Sequence, residues 1–139
     1  MSPPDRTDIA RRWLRWADED FALAEHTAAD PDVVARGACA WAHQAAEKAL
    51  KALLILRNID PPKLHDLDRL AKRLPHDEGA SFAPIELPEL TRWSIEGRYP
   101  ADLDEATRAD GLKAIAVARQ VLDVVRLQVS SEGSNQGPT

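Results

Sequence analysis

The stretch DPDVVARGACAWAHQAAEKALKALLILR, residues 30–57, decides the fold of this chain. Its apolar residues recur at intervals of three and four, which is the spacing of one face of an α-helix. Asp30 is predicted to cap this helix and Pro31 to be its first residue, because the N–H that proline lacks has no partner there. The predicted apolar face is mostly alanine: Ala38, Trp41, Ala42, Ala45, Ala46, Ala49, Ala52, Leu53 and Leu56. Small side chains let helices approach closely, so the sequence predicts the central helix of a tightly packed bundle.

The other face of this predicted helix carries polar side chains. His43, Glu47 and Lys51 follow one another at intervals of four and are predicted to form one column, with Gln44 and Lys48 beside it. Two interpretations of this column are open. In the first, Glu47 and Lys51 form a surface ion pair that contributes roughly a few tenths of a kcal/mol to stability. In the second, the column supplies the cations and hydrogen-bond donors of a phosphate site. His43 lies beside alanines and is either a half-buried structural histidine or part of that site.

Composition bounds the class of protein. The chain has 139 residues and is predicted to form a single domain over residues 5–130, between a flexible lead over 1–4 and a disordered tail over 131–139. Its net charge of −5 argues against broad electrostatic binding to nucleic acid or an anionic membrane. The single cysteine, Cys39, is predicted to be buried and cannot by itself form a disulfide or a thiolate zinc site. No stretch reaches the roughly 18 apolar residues of a membrane span. We expect a cytoplasmic protein without membrane contact, cofactor or metal site.

The segments around the central helix also show helical spacing. A long helix is predicted to start at Asp5 or Asp8 and to end at Ala29. A short helix is predicted over 66–74, with an inward face of Leu67, Leu70, Ala71 and Leu74. After a loop over 76–84, a second short helix is predicted over 87–95, with Leu90 and Trp93 packing and Ile95 as a further candidate. The core side of the first helix is predicted to contain Ile9, Trp13, Trp16, Phe21 and Ala24.

The last helix is predicted from a capping-box pattern, in which Asp102 is followed three residues later by Glu105. We expect it to end near Val129. Its predicted core residues are Ala106, Ala109, Leu112, Ile115, Ala116, Leu122 and Val125. No segment alternates with period two, so the predicted fold is all-α: an up-and-down helical bundle of three long and two short helices.

Residues 38–53, ACAWAHQAAEKALKAL, resemble the signature helix of HEPN domains, a family named for nucleotide binding in higher eukaryotes and prokaryotes. Two further elements are similar to that family: Leu64-His65-Asp66-Leu67 at the start of a predicted helix, and Arg98-Tyr99-Pro100 before the last helix. The three elements occur in the family's order, and the resemblance covers residues 8–128. It implies an HEPN-like helical bundle that is usually a homodimer.

The resemblance implies one of two activities. The first is that of a nucleotide-binding component acting with a separately encoded minimal nucleotidyltransferase, in a toxin–antitoxin-like or stress-response system. The second is metal-independent RNA cleavage, which in the nuclease branches uses an Arg-x(4–6)-His motif repeated across the dimer. A third interpretation is a non-catalytic module, in which the helix over 30–57 serves only dimerisation and partner docking. We predict the nucleotide-binding component and keep the RNase toxin and the module as alternatives.

RNA cleavage would need an arginine to stabilise the charged intermediate and a histidine to move a proton. In the nuclease branches the motif lies towards the last helices, but no histidine follows Arg98 at that spacing. Arg36 and His43 have the spacing and would share a helix face, whereas Arg69 and His76 are separated by a proline. Chance alone gives about one such match over the three spacings, so two matches are not evidence for the motif. The catalytic residues are therefore unknown; if the chain is a ribonuclease, the candidates are Arg36 and His43.

A phosphate site needs cations and hydrogen-bond donors held on rigid elements. The candidates for nucleotide or RNA phosphate are His43, Gln44, Glu47, Lys48, Lys51, His65, Asp66, Arg98 and Tyr99. Besides those already given for His43, Glu47 and Lys51, structural roles stay open for three more candidates: Asp66 as a helix cap, Arg98 as a loop anchor and Tyr99 in packing. In the branches paired with a nucleotidyltransferase, a tyrosine near the Arg-His motif is adenylylated. Tyr99 directly follows Arg98, which is not that arrangement.

Overall fold

The computed structural model describes residues 5–96 and 102–135, and these residues form six helices. In chain order the helices are α1 (Arg6–Ala29), α2 (Ala35–Leu56), α3 (Leu67–Ala71), α4 (His76–Ala80), α5 (Leu87–Thr91) and α6 (Arg108–Asn135). No strand occurs in these residues, which confirms the predicted all-α bundle with three long helices. The short helices number three rather than two, because α4 forms inside the segment predicted as a loop. The Arg98-Tyr99-Pro100 element lies outside the described residues.

Helix α2 is the centre of the bundle and contacts α1, α6, α3 and α5. As predicted, its alanines are buried; Ala42, Ala45, Ala46 and Ala49 have no exposed surface. Cys39 is fully buried too, and burial raises the pKa of its thiol to about 11. Trp41 was expected in the core and is 38% exposed, so this part of the prediction is wrong. The buried residues nearest Trp41 along α2 are small, namely Ala38, Cys39, Ala42 and Ala45, whereas the tryptophan lies at the surface.

The start of α2 differs from the prediction. The helix begins at Ala35, and Val34 is its N-cap without a side-chain hydrogen bond. Asp30 instead ends α1 and orders the turn that follows, where its carboxylate accepts a hydrogen bond from the Asp32 N–H at 2.9 Å. One turn into α2, a Cβ added to Gly37 would lie 3.0 Å from the Thr27 methyl carbon. The glycine therefore permits the close approach of α1 and α2.

Helix α1 starts where the sequence predicted it, with Asp5 capping the Asp8 N–H at 2.8 Å. The predicted core side is only partly correct. Trp16 is 39% exposed and makes an edge-to-face contact with half-buried Trp13 at 5.9 Å. The fully buried apolar residues of α1 are alanines spaced by seven: Ala10, Ala17 and Ala24. The tryptophans flank this row instead of filling it.

The predicted core of α3 is confirmed, because Leu67, Leu70, Ala71 and Leu74 are buried. In the α5 segment Leu90 and Trp93 are buried as predicted, whereas Ile95 is 49% exposed. In the parts of the chain with described structure, no helix is long and apolar enough to cross a membrane.

Helix α6 starts at Arg108, five residues later than a cap at Asp102 predicted. The capping box consists of Thr107 and Asp110, whose side chains accept from each other's backbone N–H at 3.1 and 2.9 Å, and not of Asp102 and Glu105. The helix continues to Asn135, beyond the expected end. Ala109, Leu112 and Ala116 are exposed, which corrects three predicted core positions. The buried residues of α6 are Gly111, Ala114, Ile115, Val117, Ala118, Val121, Leu122 and Val125.

We expect Ala49→Leu to lower the free energy of unfolding by about 1–3 kcal/mol, because the core around Ala49 has no space for three more carbon atoms. Urea unfolding followed by circular dichroism measures the effect. Ala22→Leu is the matched control, since Ala22 is exposed on α1 and the same change there should stay within about 0.5 kcal/mol. Equal stability of the two variants would contradict the tight packing around α2.

Candidate functional site

The polar side chains of α2 meet those of two other segments on the side of α2 that faces α3 and α5. We call this group the polar cluster; it consists of His43, Gln44, Glu47, Lys51, His65 and Glu96. The predicted polar column exists, but its three members are buried, with exposures of 0% for His43, 5% for Glu47 and 9% for Lys51. The Glu47–Lys51 pair, at 3.2 Å, is therefore a buried ion pair and not the surface pair expected.

Glu47 is the anion at the centre of the polar cluster. Its Oε2 accepts from Lys51 Nζ at 3.2 Å, and its Oε1 accepts from His65 Nδ1 at 2.9 Å. A buried carboxylate without partners would be strongly destabilising, and here each oxygen has one. Glu47 thereby ties the segment between α2 and α3 to the central helix.

His43 has a structural contact inside the cluster. Its Nε2 lies 2.9 Å from the backbone oxygen of His65, and because a carbonyl only accepts, His43 Nε2 carries the hydrogen and donates. The other ring nitrogen, Nδ1, is buried without a hydrogen-bond partner. Burial lowers the pKa of His43, outweighing the smaller upward effects of the His65 carbonyl and the Glu47 carboxylate. His43 is therefore a neutral imidazole at neutral pH.

The outer part of the cluster is open to solvent. His65 Nε2 lies 2.7 Å from Glu96 Oε2, and the other oxygen of Glu96 accepts from Gln44 Nε2 at 3.1 Å. The side chains of His65 and Glu96 are 36% and 42% exposed. We call these three residues, Gln44, His65 and Glu96, the outer site. It is where a ligand in solution can reach the cluster.

Two predicted site residues have other contacts. Lys48 pairs with Asp20 of α1, a buried carboxylate that the sequence analysis missed. The spacing of Asp20 from Ala17 and Ala24, at three and four residues, places it on the core side of α1 and would have revealed it. Asp66 caps α3 by accepting from the Arg69 N–H at 3.2 Å, which is the structural role left open for it. Arg98 and Tyr99 lie outside the described residues.

The Arg36–His43 pair does not have the geometry of an RNA-cleaving site. Arg36 is exposed near the start of α2, whereas His43 is fully buried and its Nε2 hydrogen bonds to a carbonyl. A proton-transferring histidine must reach the 2′-OH of the substrate. His43 is separated from solvent and cannot do so in this conformation.

A metal ion is a chemical option for part of the cluster. Glu47, His65 and Glu96 each offer one ligand atom, and these atoms lie within 4.8 Å of one another. The two carboxylates, however, bond to different nitrogens of the His65 ring. An ion bound by all three residues would have to replace one of these hydrogen bonds.

Comparisons with known proteins give a consistent result. The model of the HEPN domain family matches residues 10–128. The fold is similar to the crystal structure of TT1696 from Thermus thermophilus, with 28% identity and a TM-score of 0.67 over 84% of this chain and 95% of that one. It is also similar to the crystal structure of ST0689, an archaeal HEPN homologue, with 25% identity and a TM-score of 0.67 over 86% of this chain and 97% of that one. No curated protein matches the sequence.

We expect the stability of the fold to decrease as the pH falls below about 6.5, in part because of His43. Its pKa is lower in the folded state than the value of 6.5 of a free histidine, so below that pH the unfolded chain binds a proton that the folded chain does not. Each proton that only the unfolded chain binds lowers the free energy of unfolding by up to about 1.4 kcal/mol per pH unit. Urea unfolding measures the free energy of unfolding at pH 7.5 and at about pH 5.5. The decrease between the two pH values should be smaller for His43→Gln than for the wild type. His26→Gln is the control, because His26 is exposed on α1. Its free energy of unfolding should decrease between the two pH values as much as that of the wild type.

We expect Lys51→Met to destabilise the protein by about 3 kcal/mol, because it leaves a buried carboxylate with one charged partner fewer. Adding Glu47→Gln to the same chain should recover part of this loss, which a double-mutant cycle of urea unfolding measures. Lys72→Met removes a lysine from the exposed pair with Asp68 and should cost less than about 1 kcal/mol. A Lys51→Met variant as stable as Lys72→Met would show that the buried pair contributes little.

Proposed function

The chain belongs to the HEPN domain family, and on that premise we propose that it is a nucleotide-binding component that acts with a minimal nucleotidyltransferase. In this proposal the protein works as a homodimer in the cytoplasm, in a toxin–antitoxin-like or stress-response system. The phosphate of the nucleotide binds at the outer site, formed by Gln44, His65 and Glu96.

The observation that supports this proposal is the convergence of two donors on one exposed anion. His65 Nε2 and Gln44 Nε2 both point at the carboxylate of Glu96, at 2.7 and 3.1 Å. Charge-assisted donors held at fixed positions are what phosphate recognition requires. The outer site is therefore an anion site by its chemistry.

The donors of the outer site are held by the buried part of the cluster. Gln44 is on the central helix, and His65 is fixed through its ring by Glu47 and through its backbone oxygen by His43. Positioned donors lose little conformational entropy when a ligand binds.

The second candidate is the non-catalytic interaction module. The observation that favours it is that both lysines predicted for phosphate binding already have carboxylate partners, Lys48 with Asp20 and Lys51 with Glu47. In that case the polar cluster serves only to hold the α2–α3 segment in place. The burial of His43 makes the RNase alternative the least supported of the three. RNA cleavage in EDTA that His43→Ala abolishes would reverse this order.

We expect ATP or GTP to raise the melting temperature of the purified protein, by about 5 °C at ten times the dissociation constant. Gln44→Ala should weaken binding about fivefold, because it removes one neutral donor to a charged group. Gln120→Ala is the matched control, since Gln120 is exposed on α6, away from the outer site. If neither nucleotide binds to the wild-type protein, the proposal is wrong and the interaction module becomes the better interpretation.

A further inference from the structure

We infer that the carboxylate of Glu96 occupies the anion position of the outer site, so that Glu96 is an internal competitor of the phosphate that binds there. The inference builds on the proposed function and adds to it a residue that sets affinity. Glu96 is absent from the sequence-based candidates, and only the structure brings it to Gln44 and His65.

The geometry of Glu96 is that of a bound oxyanion. Each of its two oxygens accepts from a different donor, Oε2 from His65 and Oε1 from Gln44. A phosphate group offers two oxygens to a pair of donors in the same manner. An incoming phosphate therefore meets donors that are already oriented, once the Glu96 side chain has turned into solvent.

Glu96 is the carboxylate of the cluster that can leave. The side chain of Glu47 is buried and bonded to Lys51 as well as to His65, so removing it would leave buried groups without a partner. Glu96 is 42% exposed and lies five residues beyond the end of α5, so its side chain can be hydrated elsewhere. Breaking a partly exposed pair of this kind has a small free-energy cost.

The hydrogen bonds of the outer site are consistent with this exchange. When Glu96 turns away, the Gln44 amide and the outer ring nitrogen of His65 each lose the carboxylate oxygen that they contact. The buried contacts of Glu47 with Lys51 and His65 are not part of this change. Two phosphate oxygens then supply anionic acceptors at the positions that the Glu96 oxygens leave.

The test is calorimetric titration of the full chain with ATP, and separately with inorganic phosphate. Glu96→Ala should bind both about fivefold more tightly than the wild type, because the competing internal pair is gone. Glu86→Ala is the matched control: Glu86 is exposed and paired with Lys113 at 3.0 Å, so its removal changes the net charge equally and also frees a cation. It should leave both affinities unchanged.

The double variant Glu96→Ala with Gln44→Ala should lose most of the gain, because one of the two uncovered donors is removed. Glu96 and Gln44 are not buried, so these variants are expected to fold, which circular dichroism verifies.

If the wild type binds ATP and Glu96→Ala binds it equally or more weakly, the inference is wrong while the proposed function stands. The inference would also be wrong if Glu86→Ala gained as much affinity as Glu96→Ala, because the change in net charge alone would then explain the gain. If no variant binds ATP or phosphate, the proposed function and this inference both fail.

Discussion

The close approach of α1 to α2 is the constraint on which the rest of the structure depends. Alanines on both helices, together with Gly37 opposite Thr27, bring the two backbones near each other. With α6, α3 and α5 also against α2, most of the surface of this helix is covered. His43, Glu47 and Lys51 of α2 are thereby buried, and each of them bonds to a partner inside the protein. The polar cluster forms because other helices pack tightly around α2, which carries the polar column of His43, Glu47 and Lys51.

The sequence predicts the helices well where the local pattern and the tertiary packing agree. The three long helices and the buried leucines of α3 follow from helical spacing. The family was inferred separately, from the resemblance of three sequence elements. The errors at the two tryptophans, Trp16 and Trp41, have one cause. Periodicity shows which residues share a face, but it does not show that alanine rather than tryptophan is required at the closest contact. Trp16 and Trp41 were therefore placed inside, although the space between the helices fits only small side chains.

The candidate site was predictable in part for a similar reason. The i, i+4 spacing places His43, Glu47 and Lys51 in one column, but the burial of that column depends on α3 and α5, which arrive from distant sequence. Glu96 and Asp20 are far from their partners along the chain, and a single sequence does not show such long-range pairing. The start of α6 is different. Both Asp102 with Glu105 and Thr107 with Asp110 have the capping pattern, and the structure selects the second.

His65 connects the interior of the protein to its surface, since one ring nitrogen contacts buried Glu47 and the other contacts exposed Glu96. Any ligand that holds this ring from outside also holds the contact inside. Such a ligand therefore reduces local opening of the segment between α2 and α3. Local opening of this kind is what exposes a folded chain to proteases. The quantity of ligand in the cell would then influence how long each molecule of the protein survives before degradation.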